Sequence, residues 1–162
     1  MSPGTCLHHV INPALLLLAY LHGPPASDDA RRLLLAIALQ ESGLTARYQH
    51  SPAEEPGPAR GWWQFECAGG TAGVLSHKAS ASLAAAVCDA LFVVPQAAAV
   101  WRALEGNGLL AACFARLLAY TDPAPLPTNE QDAWDLYMRC WRPGAPAPER
   151  WPGCWQAAVA AV

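Results

Sequence analysis

Glu41 is the acidic residue whose setting most invites chemistry. Ala30, Leu33, Leu34, Ile37 and Ala38 precede it. At about 100° per residue these five fall on one arc of a helix, and Glu41 falls in the middle of that arc. A carboxyl at the end of an apolar stripe loses hydration, and burial raises its pKa. The negative end of the helix disfavours the anion further. A carboxylic acid that keeps its proton near neutral pH can give it to a glycosidic oxygen. On wheel position alone, a solvated Glu in a last helical turn is the commoner case, so the surrounding motifs carry weight. Downstream, Trp62, Trp63 and Phe65 cluster beside Gln64. Aromatic faces of this kind pack on pyranose rings or anchor cores, and one tryptophan of the pair is expected to face a cleft and the other to face inward.

Three short runs occur in order. They are Leu39-Gln40-Glu41-Ser42-Gly43-Leu44, then Gly61-Trp62-Trp63-Gln64, then Leu118-Ala119-Tyr120-Thr121. Together they resemble the motifs of the soluble lytic transglycosylase and goose-type lysozyme superfamily, and span about residues 27 to 122. The stretch 59–66 also resembles lysozyme-like proteins of phages and prophages. The second run keeps the Gly and Gln of the family's Gly-Leu-Met-Gln but carries Trp62-Trp63. The third carries Thr121 in place of an Asn. The resemblance implies a single lysozyme-like domain over 1–162 that acts on the glycan strands of peptidoglycan. It implies Glu41 as general acid/base and Ser42 as a residue that orients it. It implies Gly61, Trp62, Trp63, Gln64, Tyr120 and Thr121 as substrate-binding positions, with Tyr120 close to the catalytic Glu.

Cleavage of the bond after N-acetylmuramic acid needs a proton on the leaving oxygen and support for an oxocarbenium-like sugar. A lytic transglycosylase manages with one carboxylate, because the muramoyl 6-hydroxyl attacks internally and leaves a 1,6-anhydro end. That nucleophile is already in position, which removes part of the entropic cost. A hydrolase needs a second carboxylate, for which Glu54, Glu55 and Glu66 are the candidates, with Asp122 beside the third motif. A glycan-binding or virion structural protein without activity is the third alternative.

The 162 residues suffice for one core. Apolar residues make up 53% and charged residues 14%, with a net charge of −3. The nine arginines are scattered and Lys78 is the only lysine, so no footprint for nucleic acid is visible. No Cys/His spacing suits zinc, no Gly-x-Ser-x-Gly elbow surrounds Ser42 and no glycine loop suits phosphate. Neither a metal nor a cofactor is expected. The cysteines at 6, 67, 88, 113, 140 and 154 read as mostly free, buried thiols, with a Cys140–Cys154 bridge left open. Residues 1–13 lack the basic start of a signal peptide, and the apolar run 14–21 is too short to span a bilayer. The expectation is a monomer made in the cytoplasm without stable membrane insertion, reaching the wall through a holin or from a phage particle.

The elements that must position these groups are mainly α-helical. Asn12-Pro13 predicts an N-cap and first residue for a helix to about His22. Ser27, with Asp28 and Asp29 behind it, starts the helix that carries Glu41, and Gly43 ends it. Prolines at 52, 56 and 58 predict an irregular loop or short hairpin over about 45–66. Further helices are expected over 82–92, from Pro95 to Glu105, and over 109–120. Another spans about 129–141, capped by a Thr128-x-x-Gln131 box, and a short one spans 152–161.

Overall fold

The computed structural model describes residues 1–50 and 56–162; Glu54 and Glu55 lie outside the described residues. The fold is mainly α, and its centre is the helix that carries Glu41. This helix, α3 in chain order, covers Asp28–Ser42. Ser27 Oγ accepts from the Ala30 N–H at 3.1 Å. Asp28 and Asp29 sit in the first turn and hold Arg31 and Arg32 at 2.9 and 3.1 Å. Gly43 closes the helix in the left-handed conformation, φ +59°, which costs glycine nothing. The sequence predicts one apolar arc, but the unbroken run Leu33 to Ala38 is sealed from solvent, Leu35 and Ala36 included. α3 is therefore wrapped on all sides, as a hydrophobic central helix must be.

The N-terminal helix begins ten residues earlier than Asn12-Pro13 predicts. Ser2 caps α1 (Pro3–Cys6), accepting from the Thr5 N–H. The chain then widens into a π-turn over Leu7–Ile11 and runs on as α2 (Asn12–Tyr20). Asn12 donates its N–H to the Leu7 carbonyl across the wide turn. Pro13 has no N–H to give, and a turn that has already left the α ladder absorbs that loss. Asn12 is an anchor instead of a cap, since its Oδ1 accepts from Arg31 Nε at 2.8 Å.

Between α3 and the second half of the chain lies a small antiparallel sheet of order β1-β2-β3, formed by Tyr48–His50, Pro56–Arg60 and Phe65–Glu66. The pairs Ala59 with Glu66 and Arg60 with Phe65 fix the tight β2–β3 turn. Gly61 is needed in that turn: its φ is +73°, and a Cβ there would meet the Leu104 carbonyl oxygen at 2.7 Å. A π-turn over Cys67–Thr71 then leads to α4 (Ala72–Ser76), α5 (Ala81–Ala90) and α6 (Ala97–Gly106).

Asn107 caps α7 (Gly108–Tyr120) through its Oδ1. Every residue from Leu110 to Ala119 is buried. α8 covers Glu130–Trp141. Its cap is Asn129, one residue beyond the predicted Thr128: Asn129 Oδ1 accepts from the Asp132 N–H and its Nδ2 donates to the Asp132 carboxylate. The shorter Asx side chain reaches back to its own N3 position and displaces the Thr-Gln pairing. α9 (Trp151–Ala161) follows a short 3₁₀ turn and packs along α3. All six cysteines are free thiols. Cys140 Sγ stands by Asp122, and Cys154 Sγ by Gln40, so the Cys140–Cys154 bridge is not formed. No described helix is long and apolar enough to cross a membrane.

Candidate active site

Glu41 is the penultimate residue of α3, so the packing of that helix fixes its Cα. Three contacts hold the flank beside it. Gln40 Nε2 donates to the Ala147 carbonyl at 2.9 Å, Arg150 donates to the Leu39 carbonyl, and Cys154 approaches Gln40 Oε1. Tyr137 on α8 donates its hydroxyl to Glu41 Oε1 at 2.7 Å. Burial pushes the Glu41 carboxyl up from 4.5 to about 7, while the Tyr137 hydroxyl and the positive charge of Arg150 pull it back only in part. Desolvation thus outweighs two stabilising partners. Burial and the neighbouring carboxyl push the Tyr137 phenol upward, so it stays protonated and remains a donor at any ordinary pH.

Tyr137 owes its place to aromatic packing. It stacks on Trp151 at 5.5 Å with planes 13° apart, and lies 5.3 Å from Trp134 and 6.3 Å from Trp141. Trp134, Tyr137 and Trp141 share one face of α8 at helical spacing. Trp151 Nε1 in turn donates to the Glu130 carbonyl at the start of the same helix. Offset rings of this kind bring packing energy beyond their buried area and leave the phenol one direction in which to point.

The carboxyl opens onto a cleft of about 1140 Å³. The cleft is bordered by Gln64, Phe65, Glu66 and Gly70 from the sheet with its β2–β3 turn and the turn after it, by Leu118 of α7, and by Met138, Arg139 and Trp141 of α8. Gly70 is packed so tightly on Phe65 that a Cβ would meet the ring at 2.9 Å. Asp122 and Arg139 pair at 2.8 Å on the cleft's edge, and this holds the Asp122 carboxyl below its ordinary range. Among the described residues no cluster of three His, Cys, Asp or Glu is arranged to hold a metal.

The predicted residues divide. Glu41, Gln64, Glu66 and Thr121 border the cleft. Ser42 does not orient Glu41: its Oγ lies 3.0 Å from the Ala38 carbonyl and 2.9 Å from the Trp62 carbonyl, and it accepts from the Leu44 N–H. It fastens the end of α3 to the aromatic turn. Neither tryptophan of the pair faces the cleft. Trp63 is wholly buried and donates Nε1 to the Leu34 carbonyl. Trp62 is buried under the Arg47 guanidinium, 3.5 Å from the ring centre. The aromatic residues that border the cleft are Phe65 and Trp141, and Trp141 Nε1 donates to the Trp63 carbonyl at 3.1 Å. Gly61 shapes the turn and does not border the cleft. Gln64, at φ +49°, bends back to donate Nε2 to the Gly61 carbonyl. The tyrosine bonded to Glu41 is Tyr137 and not Tyr120, which is 43% exposed and lies off the cleft. Tyr137 has a sequence signal after all: it is the one hydroxyl inside the aromatic stripe of α8.

The site's geometry is the ground on which function must be argued, because the chain matches no family model, no curated protein and no solved structure.

Proposed function

We propose that this protein cleaves the glycan strands of peptidoglycan at the muramoyl β-1,4 bond, with Glu41 as the proton donor, in a lysozyme-like domain of the lytic transglycosylase type. The single observation that carries the reading is the Glu41 carboxyl, bonded to Tyr137 and bordering a cleft of about 1140 Å³, where burial raises its pKa to about 7. Tyr137 occupies Oε1, which leaves the other oxygen free to hold the proton that a leaving sugar oxygen takes. As the proton departs, the carboxylate that forms keeps the Tyr137 hydrogen bond, and the Arg150 charge favours it. The same carboxylate can then take the proton of the muramoyl 6-hydroxyl as that oxygen closes on the anomeric carbon. Trp141 offers a flat face against which a pyranose can lie.

One observation favours a second reading. Glu66 is exposed on the wall of the same cleft. A carboxylate on the water side of the sugar would make the enzyme a two-carboxylate muramidase. Glycan binding without cleavage is the remaining alternative. Purified sacculi incubated with the protein and analysed by mass spectrometry separate the three. Anhydromuramoyl ends are expected, reducing ends would mean hydrolysis, and no soluble fragments would remove the enzymatic reading. Glu41→Gln is expected to release nothing.

A further inference from the structure

His77 borders the cleft, and all but one of its polar atoms are already engaged. It caps the C-terminal end of α4, where its N–H donates to the Gly73 carbonyl at 2.9 Å. Its carbonyl accepts from the Ser80 and Ala81 N–H groups at 3.0 and 2.9 Å. Ser80 is wholly buried and fastens this turn by donating its hydroxyl to the Val74 carbonyl at 2.8 Å. On the ring, Nδ1 accepts from the Ala79 N–H at 3.2 Å. A ring that accepts at Nδ1 carries its proton on Nε2, which makes Nε2 a donor only. Among the described residues no acceptor meets it. The ring is thus fixed before any ligand arrives, and little freedom remains to be lost on binding.

The surface beside His77 lacks side chains. Gly69, Gly70 and Gly73 border the same cleft. A Cβ at Gly73, one turn before His77, would meet nothing within 4 Å. At Gly70 the backbone lies against Phe65 and Leu118, whose side chains a Cβ would meet at 2.9 and 3.6 Å. Within the segment 69–77, open space, contact with an apolar patch and one fixed N–H donor come together.

We infer that His77 Nε2 is the donor that holds the acetamido carbonyl of a glycan sugar, an inference that rests on the cleft being a glycan site. Sugar hydroxyls donate as readily as they accept, so a donor-only atom singles out none of them. The acetamido carbonyl accepts only, and its methyl group needs apolar surface, which Phe65 and Leu118 supply. His77 therefore reads the substituent at C2 and separates N-acetylated strands from plain glucans.

The test is a calorimetric titration of the full-length protein with a β-1,4-linked tetramer of N-acetylglucosamine and with cellotetraose, which carries a hydroxyl in place of each acetamido group. The parent is expected to prefer the N-acetylated tetramer. His77→Phe keeps a ring without the donor and should bind that tetramer about two- to tenfold more weakly, the scale of one hydrogen bond. His77→Gln should recover most of the loss, because its amide nitrogen lies as many bonds from Cα as Nε2 does. In long-range proton–nitrogen NMR correlations the parent's His77 ring, identified by its loss in His77→Gln, should show the Nε2–H tautomer and move saturably with the N-acetylated tetramer. That spectrum decides the matter even where His77→Phe does not fold. An Nδ1–H tautomer or a fixed signal overturns the inference, as does a His77→Phe variant that binds like the parent, or a parent that binds both tetramers equally. A parent that binds neither overturns it as well, and digestion of sacculi then tells whether the glycan reading falls with it.

Discussion

The Tyr137 hydroxyl stands 2.7 Å from Glu41 Oε1, across 96 residues of sequence. This contact opposes burial at the Glu41 carboxyl. The phenol favours the ionised carboxylate, burial favours the acid, and burial prevails. Most of what can be tested about the site follows from that balance.

Activity on cell walls is expected to fall as pH rises through about 7, because the proposed reaction needs the protonated form of Glu41. The pH profile of wall clearing by the parent measures this. A rate that climbs steadily from pH 6 to 9 would contradict it.

Tyr137→Phe removes the donor that holds the carboxyl down, so the descending limb should move to higher pH. The ring stack on Trp151 survives in phenylalanine, and the fold should persist. An unmoved limb would mean that the hydroxyl contributes nothing to the balance.

Stability should carry the same signature. The folded carboxyl titrates near 7 and the unfolded one near 4.5. Below the lower value both states are protonated and the group contributes nothing to pH dependence. Between the two, the unfolded chain loses its proton while the folded chain keeps it, so stability falls as pH rises, and it levels off above 7. Glu41→Gln escapes this loss. Chemical denaturation is expected to find the variant more stable than the parent at pH 8, by up to about 3 kcal/mol at 1.36 kcal/mol per pH unit. At pH 4 the two should be closer.

Much of this was legible in the sequence. Ser27, the two aspartates after it and Gly43 announce both ends of α3, since caps depend on local chemistry. The stripe ending at Glu41 foretells its burial. The partners of Glu41 were less accessible, because Tyr137 and Arg150 reach it through the packing of α8 and α9, which no local spacing encodes. The misreading of Trp62 and Trp63 has a similar origin. Whether an aromatic meets sugar or core depends on what distant segments pack over it: Trp63 donates to a carbonyl of α3, and the Arg47 guanidinium covers Trp62.

Trp141→Ala should weaken binding of glycan fragments about three- to tenfold, the scale of one lost ring contact, whereas Trp62→Phe should leave it unchanged. Trp141→Phe separates surface from scaffold. It loses the bond to the Trp63 carbonyl but keeps a flat face, and it should retain most of the affinity. Equal losses in Trp141→Ala and Trp62→Phe by calorimetry would show that Trp141 acts through the fold.

Gly61→Ala forces a methyl group against the Leu104 carbonyl oxygen in a left-handed conformation. A loss of about 1–3 kcal/mol is expected, read as a lower denaturation midpoint. A neutral result would mean that the β2–β3 turn relaxes without cost.

Gln40, Leu39 and Tyr137 tie the surroundings of Glu41 to segments made roughly a hundred residues later. During translation α3 emerges ahead of α8 and α9, and its wrapping waits for them. A nascent chain lacking those helices would expose the carboxyl to water and leave it an ordinary, ionised side chain. Any proton-donating capacity would then arise only once α8 and α9 have emerged, a delay written into the order of the helices and requiring no inhibitor.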